Sequence, residues 1–239
     1  MSGHSKWSTI KRQKGVADAK RGQLFTKLSQ AITIAVKQGG GVTDPNSNFK
    51  LRLAMDKGRG ANMPKEIIQR AIEKAKGGAG GDMEELVYEG FGPGGVAFIV
   101  ETVTDNKQRT VSEVKNIFDK NGGNLGAQGS VSYLFKKAGE IVIKKAGQTS
   151  DEILDIVLDA GVEDMEEGDD VVYLYTDPQN LIHVSNALSE KGLVVDSAEL
   201  VFRAETTVSV DEEIEKKIFS LLEKLEDLDD VQKVYTNLG

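Results

Sequence analysis

The first third of the chain contains three stretches whose apolar residues recur at the spacing of amphipathic helices. From Leu24 to Ala35 they follow one another at intervals of four and three residues, which places them on one face of a helix. Glycines at 39–41 mark its end. Residues 44–58 and 62–76 carry a second and a third pattern of this kind. The sequence therefore predicts an N-terminal module of three helices.

Residues near the predicted helix ends carry further signals. Asn62 is a candidate cap for the third helix, and Pro64 suits its first turn. Gly58 and Gly60 lie near the end of the second helix, and each costs about 1 kcal/mol relative to alanine inside a helix. The sequence therefore leaves the end of the second helix open.

The pattern changes after residues 77–82, GGAGGD, which predict a flexible linker. Beyond this segment, short runs rich in β-branched residues alternate with helical patterns. Residues 86–103 predict two strands around a tight Gly-Pro turn, residues 106–123 a helix, and residues 130–137 a strand.

Residues 140–204 predict the β-α-β-β-α-β order of a ferredoxin-like unit. Residues 206–237 predict strand, helix and strand, with TTVSV at 206–210 as the first strand, and they complete a second set with the elements before residue 140. The expected fold class is α+β, with an N-terminal three-helix module followed by two ferredoxin-like α/β domains, one inserted in the other. The expected boundaries are 1–76 for a basic helical nucleic-acid-binding domain, 77–82 for the linker, 83–137 plus 205–239 for one α/β domain, and 138–204 for the inserted domain.

Charge is divided unevenly along this chain of net charge −8. Residues 1–76 carry sixteen Lys and Arg against five Asp and Glu, a formal charge of +11, and the remainder carries −19. Such asymmetry is typical of a polyanion-binding module attached to an acidic body. An ordinary solvated helical surface that happens to be basic is the alternative.

Catalytic and metal-binding signals are weak. The chain has no cysteine and only two histidines, His4 and His183, and the second is expected to be a structural or surface residue. The acidic run at 163–170 lacks EF-hand spacing and is expected to form a solvated hairpin turn. A tight turn also explains the glycines of residues 88–98, because a strand follows them where a phosphate loop needs a helix.

We expect no enzyme activity, no metal and no cofactor. A soluble cytosolic protein is expected, because no apolar run is long enough to span a membrane.

The basic module is therefore the candidate site, because its cations can neutralise phosphates. Trp7, the only tryptophan, lies in a basic tail and can stack on an unpaired base, which single-stranded or irregular RNA offers and duplex DNA does not. Alternatively, Trp7 packs the tail onto the helical module. The candidate cations are Lys6, Lys11, Arg12, Lys14, Lys20, Arg21, Lys27, Arg52, Lys57, Arg59, Lys65 and Arg70, with further charge from Lys37, Lys50, Lys74 and Lys76.

Several long sequence words resemble the YebC family, whose mitochondrial relative is the translational activator of cytochrome oxidase. They run in order from GHSKW through IKRQK, DPNSN, NMPKEIIQRAI and YEGFGPGGVAFIVETVTDNKQRT to GGNLGAQGSVSYLF. The resemblance implies a three-domain protein with a helical N-terminal domain. By position it adds His4, Asn62 and Met63 to the candidate nucleic-acid-binding residues, and its basic N-terminal segment again includes Lys6 and Trp7.

The resemblance implies two functions. Members have been described as DNA-binding transcriptional regulators, and more recently as ribosome-associated translation factors that assist elongation through sequences such as proline runs. Our first expectation is the translation factor, with rRNA or the ribosome as partner, and the alternative is the DNA-binding regulator. An enzyme acting on nucleotides and a scaffold that binds only proteins are further alternatives. No membrane partner is expected, and the protein is expected to be a monomer.

Overall fold

A computed structural model of the chain describes residues 6–7, 18–76 and 83–239. These residues form two compact units. One comprises residues 18–76, 83–132 and 210–235, and the other comprises Lys6, Trp7 and residues 133–209 and 236–239. The described residues contain seven α-helices: α1 (Asp18–Gln38), α2 (Phe49–Gly60), α3 (Lys65–Lys76), α4 (Lys107–Lys120), α5 (Ser150–Val157), α6 (Leu181–Glu190) and α7 (Glu212–Glu226).

The three predicted N-terminal helices are confirmed as α1, α2 and α3. Their facing sides share one apolar core, which includes Ile32 and Leu51, both fully buried. Asn48 fastens the turn between α1 and α2. Its side-chain oxygen caps α2 by accepting from Leu51 N at 3.1 Å, and its amide donates to the carbonyls of Ala35 and Val42 at 3.0 and 2.9 Å. This close approach requires glycine at residue 39, because a Cβ there would lie 2.2 Å from the Asn48 amide nitrogen.

The strands of the described residues pair into two four-stranded sheets. They are β1 (Glu84–Phe91), β2 (Ala97–Thr104), β3 (Asn124–Leu125), β4 (Phe135–Lys144), β5 (Asp164–Glu167), β6 (Val171–Thr176), β7 (Val194–Ala204) and β8 (Val231–Thr236).

The first sheet has the order β3-β1-β2-β8. Strands β1 and β2 form an antiparallel hairpin in which Glu84 faces Thr104 and Phe91 faces Ala97. The connection is the predicted tight turn, with a short 3-10 segment at Pro93–Gly95 and Gly94 at a φ of 72°. Helix α4 packs on this sheet through Phe118, whose ring meets that of Phe98 edge-on at 5.7 Å.

The second sheet has the order β5-β6-β4-β7, with α5 and α6 in its connections. The chain order β-α-β-β-α-β is the one predicted for a ferredoxin-like unit. All of its strands lie between β3 and β8, so the insertion of one α/β domain into another is confirmed. The α+β class is confirmed with it.

Two predicted strands were wrong. Residues 130–137 were expected to be one strand, but Ser132–Leu134 is a 3-10 turn and β4 begins at Phe135, in the second sheet. The backbone NH groups of Val131 and Ser132 donate instead to the Glu89 carboxylate, and β3 supplies the edge strand of the first sheet. Residues 206–210 form only an isolated parallel bridge between Val208 and Leu238.

Candidate nucleic-acid interface

The predicted cations of the helical module fall into three environments. Lys57, Lys65 and Arg70 have exposed side chains, as has Arg21 at the start of α1. Arg59 is also exposed but forms an ion pair with Asp56 at 2.8 Å on the same helix. Because both partners are more than half exposed, this pair contributes little to stability, and Arg59 can exchange it for a phosphate at small cost.

Lys27 is used within the fold. Its Nζ donates to the carbonyl of Glu226, and Gln23 donates to the next carbonyl, that of Asp227, at 3.5 Å. These two carbonyls belong to the C-terminal end of α7, where backbone oxygens lack helical partners and the helix dipole favours a cation. Lys27 therefore holds α1 against the end of α7.

Arg52 is half-buried on α2. Its Nε atom is buried and has no hydrogen-bond partner among the described residues. A buried donor without an acceptor is unfavourable, so this guanidinium gains from an acceptor that a ligand brings.

Two residues that the resemblance adds to the nucleic-acid-binding set, Met63 and Asn62, have structural roles in the helical module. Met63 is only 5% exposed and packs in the core of the three helices. Its side chain is therefore a packing group, and its assignment to the nucleic-acid-binding surface is corrected. Asn62 is exposed with a φ of 56°, and its NH donates to Arg59 O at 2.9 Å. It ends α2 in the left-handed conformation that asparagine tolerates.

Helix α3 forms one wall of a cleft of about 820 Å³. Arg70 and Lys74 stand on that wall, and the polar face of α1 forms another part of the lining, with Thr26, Ser29 and Gln30 among its residues. Gln30 is anchored, because its side-chain oxygen accepts from Gln232 of β8 at 2.9 Å. The cleft therefore brings the basic helical module together with the first α/β domain.

Another wall of the cleft is acidic. It includes Glu113 of α4 and Asp227, Asp229 and Asp230 of the turn before β8. Asp230 is 5% exposed and accepts hydrogen bonds from the hydroxyls of Thr104 and Thr110 at 3.0 and 2.7 Å.

Arg109 completes this wall and binds two of its carboxylates. It donates to Asp230 at 2.8 Å and to Asp105 at 3.0 Å. The hydrogen bond and charge of Asp230, with a smaller contribution from Asp105, raise the pKa of the Arg109 guanidinium. Arg109 is therefore a fixed cation within an acidic surface.

Only part of the basic tail can be placed. His4, Lys11, Arg12 and Lys14 lie outside the described residues, and so does the side chain of Lys20. Lys6 and Trp7 are helical, and Trp7 is 5% exposed. Trp7 belongs to the unit that contains the inserted domain.

Glu89 organises a loop that the sequence analysis did not single out. Its buried carboxylate accepts from the backbone NH groups of Gly129, Val131 and Ser132 at 2.7–2.8 Å. Burial by itself raises the pKa of Glu89, but these hydrogen bonds together outweigh burial and lower the pKa below its usual value. The sequence signal that could have indicated this role is that Glu89 is a single acid next to the glycines of the hairpin turn.

The acidic run and His183 behave as surface features. Residues 164–167 form β5, where Asp164 and Glu166 bind Arg203, and the turn to β6 follows. The Arg203 guanidinium also lies 4.1 Å from the centre of the Tyr175 ring. His183 is exposed on α6. The acidic run thus pairs partly with cations of its own domain.

These domains have relatives of known sequence and structure. Residues 5–78 match the TACO1/YebC protein N-terminal domain, and residues 83–238 match the TACO1/YebC second and third domain. The chain therefore belongs to the TACO1/YebC family.

Individual relatives match over nearly their full length. A protein of Roseiflexus castenholzii named "Probable transcriptional regulatory protein" is 51% identical over 100% of this chain and 95% of its own length. One of the same name from Treponema denticola is 50% identical over 100% and 96%. The crystal structure of a conserved hypothetical protein of Aquifex aeolicus, Aq1575, has a TM-score of 0.88 and 42% identity, covering 93% of this chain and 91% of that one. Within the described ranges, no helix combines the length and apolar character that a membrane span needs.

Proposed function

We propose that this chain is a nucleic-acid-binding regulator of gene expression that acts on translation by binding ribosomal RNA, and that it is not an enzyme. The relatives named as transcriptional regulators support the broader part, regulation of gene expression. The translation role and the assistance with sequences such as proline runs rest on the family resemblance.

The observation that carries nucleic-acid binding is the set of exposed cations on α2 and α3. Lys65 and Arg70 form no ion pair with described residues, and Arg59 has only an exposed one. Exposed lysines and arginines bind phosphates by releasing condensed counterions, and this contribution is independent of base sequence. Such a surface suits a target recognised by its backbone.

Two features favour RNA over duplex DNA as the target. The described helices of the module pack into one shared core, and the exposed cations are spread over α2 and α3. A helix that reads the major groove instead presents several base-contacting side chains from one face. A dispersed set of phosphate contacts fits irregular RNA, whose backbone does not follow a single groove.

A DNA-binding transcriptional regulator is the second candidate, favoured by the names of the relatives. In that case the same cations would line a duplex and the affinity would depend on its sequence. The two candidates differ in which complex persists at physiological salt: the complex with ribosomes or the complex with duplex DNA.

The test is co-sedimentation of the full chain with ribosomes across a salt series, beside titration of duplex DNA in the same salts. The variant Lys65→Ala/Arg70→Ala removes two exposed cations of α3. The matched control Lys115→Ala/Lys120→Ala removes two exposed lysines of α4 with the same change of charge.

We expect wild type and the control to sediment with ribosomes near physiological salt and the α3 variant to lose binding. The slope of log affinity against log salt should fall by about 1 to 2 in the α3 variant, since each lost contact with single-stranded RNA contributes about 0.7. Tight binding of a particular duplex with no ribosome association would overturn the translation role. Equal effects of both variants would show that net charge alone, and not the α3 surface, determines binding.

A further inference from the structure

Two basic and two acidic side chains that line the cleft form no ion pair with any described residue. They are Arg70 and Lys74 on α3 and Glu113 and Asp229 on the acidic wall. All four side chains are exposed, so they are free to meet a ligand. The basic charge of the first domain and the acidic charge of the second therefore line the same open space of about 820 Å³.

This arrangement selects a ligand with two chemical ends. A chain of phosphates alone would be attracted by α3 and repelled by Glu113 and Asp229. A cation alone would be attracted by Glu113 and Asp229 and repelled by Arg70 and Lys74 on α3. The favoured ligand presents an anionic group to α3 and hydrogen-bond donors, with no negative charge, to the two carboxylates.

A ribonucleotide unit satisfies this requirement. Its phosphate is the anion, and its ribose carries hydroxyl groups a few ångströms away. Carboxylates that accept from ribose hydroxyls recur in nucleotide-binding proteins, and hydrogen bonds to an ionised acceptor are stronger than neutral ones. Deoxyribose lacks the 2′-hydroxyl, so a carboxylate placed for that group distinguishes RNA from DNA.

The floor of the cleft suits the base of the same unit. The hydroxyls of Thr26 and Ser29 donate along α1 to the carbonyls four residues earlier, at 3.1 and 2.8 Å. Their oxygens keep lone pairs that can accept from the amino groups of a base. The volume is within the range of small-molecule sites, which is about 300–1,000 Å³.

We propose that this cleft binds one unpaired ribonucleotide of the RNA target, with its phosphate on Arg70 and Lys74 and its 2′-hydroxyl donating to Glu113 or Asp229. The proposal rests on the function proposed above and adds the group that would make the protein prefer RNA. Glu113 and Asp229 are thus specificity residues, although they carry the same charge as the ligand's backbone.

The test measures fluorescence anisotropy of the full chain with four labelled single strands of one sequence, a cytidine-rich decamer whose bases carry amino groups. The strands are RNA, DNA, 2′-O-methyl RNA and 2′-fluoro RNA. The last two retain ribose substituents but lack the donor, and 2′-fluoro RNA also keeps the RNA sugar conformation. Wild type should bind RNA about tenfold more tightly than the other three, which is the effect of roughly one charge-assisted hydrogen bond.

Two variants separate the hydrogen bond from the charge. Glu113→Ala/Asp229→Ala removes both acceptors, whereas Glu113→Gln/Asp229→Asn removes the charge and keeps an acceptor oxygen. Both should bind all four strands more tightly, because repulsion of phosphate is lost. The affinity for RNA relative to the other three strands should fall to about one in the alanine variant, and part of the preference should remain in the amide variant.

The outcomes distinguish this proposal from the proposed function. If RNA binds but is not preferred over 2′-fluoro RNA, or if the alanine variant keeps the preference, the cleft does not read the 2′-hydroxyl, while RNA binding by the module stands. If wild type binds no RNA at any salt, both proposals fail. If Arg70→Ala/Lys74→Ala weakens binding of all strands equally, while the alanine variant of the acids tightens binding of all strands and removes the preference for RNA, both are supported.

Discussion

The Arg109 guanidinium lies 2.8 Å from the carboxylate of Asp230, a residue 121 positions further along the chain. The contact joins the first turns of α4 to the residue that precedes β8. The backbone of Asp230 takes part as well, since its carbonyl accepts from Val103 N at 2.8 Å. One aspartate therefore ties the end of the chain to the hairpin and helix that precede the inserted domain.

Replacing Asp230 should destabilise this domain strongly. In Asp230→Ala the buried hydroxyls of Thr104 and Thr110 lose an acceptor, and Arg109 loses its better-buried partner. We expect a loss of about 3 kcal/mol in the free energy of unfolding, measured by urea denaturation. The exposed neighbour supplies the control, since Asp229→Ala should change stability by less than about 0.5 kcal/mol. Equal losses in the two variants would contradict the importance of the network.

The loop bound by Glu89 should respond to pH in a defined direction. The pKa of Glu89 is lowered in the folded protein, so its ionised form contributes stability above the unfolded value near 4.5. This contribution disappears as pH falls through the lower folded pKa. Protection factors of the amides of residues 126–132, which correct for the slower intrinsic exchange in acid, should therefore be high at neutral pH and fall as pH drops below the unfolded value near 4.5.

Glu89→Gln tests the cause of that response. The amide keeps one acceptor but turns donors towards the NH groups of the loop, and we expect exchange in residues 126–132 to be fast at neutral pH. The difference between wild type and variant should shrink in acid. A constant difference from pH 7 to pH 3 would show that the carboxylate charge is unimportant.

Two glycines should respond oppositely to alanine. Gly60 is the last residue of α2, and a Cβ there meets nothing within 4 Å, so Gly60→Ala should stabilise the protein by about 0.5 kcal/mol. Gly94 has a φ of 72°, and its Cβ would lie 3.0 Å from side-chain atoms of Val210 and Ile214. Gly94→Ala should destabilise by about 2 kcal/mol. Thermal denaturation of both variants checks the two signs, and stabilisation by both would refute the argument from backbone conformation.

Trp7 offers a direct optical test, because it is the only tryptophan. At 5% exposure, its fluorescence should be blue-shifted and weakly quenched by acrylamide in the free protein. If the ring stacks on a base in the complex, it must leave this environment, and saturating RNA should change both properties. Red-shifted, readily quenched emission without RNA would contradict the burial. Unchanged emission with RNA would leave Trp7 as a packing residue.

Local pattern predicted much of the fold. Apolar periodicity located α1 to α3, and the alternation of β-rich and helical runs located the inserted ferredoxin-like unit, because each of these signals lies within one element. The expected strand at 130–137 failed for a long-range reason. The NH groups of Val131 and Ser132 in this segment donate to Glu89, some forty residues earlier, and the local sequence pattern contains no signal of that contact.

The features of the candidate site also divide into those that the sequence determined and those that only the tertiary structure determined. The sequence by itself determined that the basic charge belongs to the first 76 residues, because charge is a property of composition. Only the tertiary structure decided how each candidate residue is used: Lys27 at the end of α7, Met63 in the core, and Arg70 on the cleft that Asp229 also lines. The physical reason is that a cleft is made by elements far apart in sequence, so its shape and charge exist only once those elements have packed.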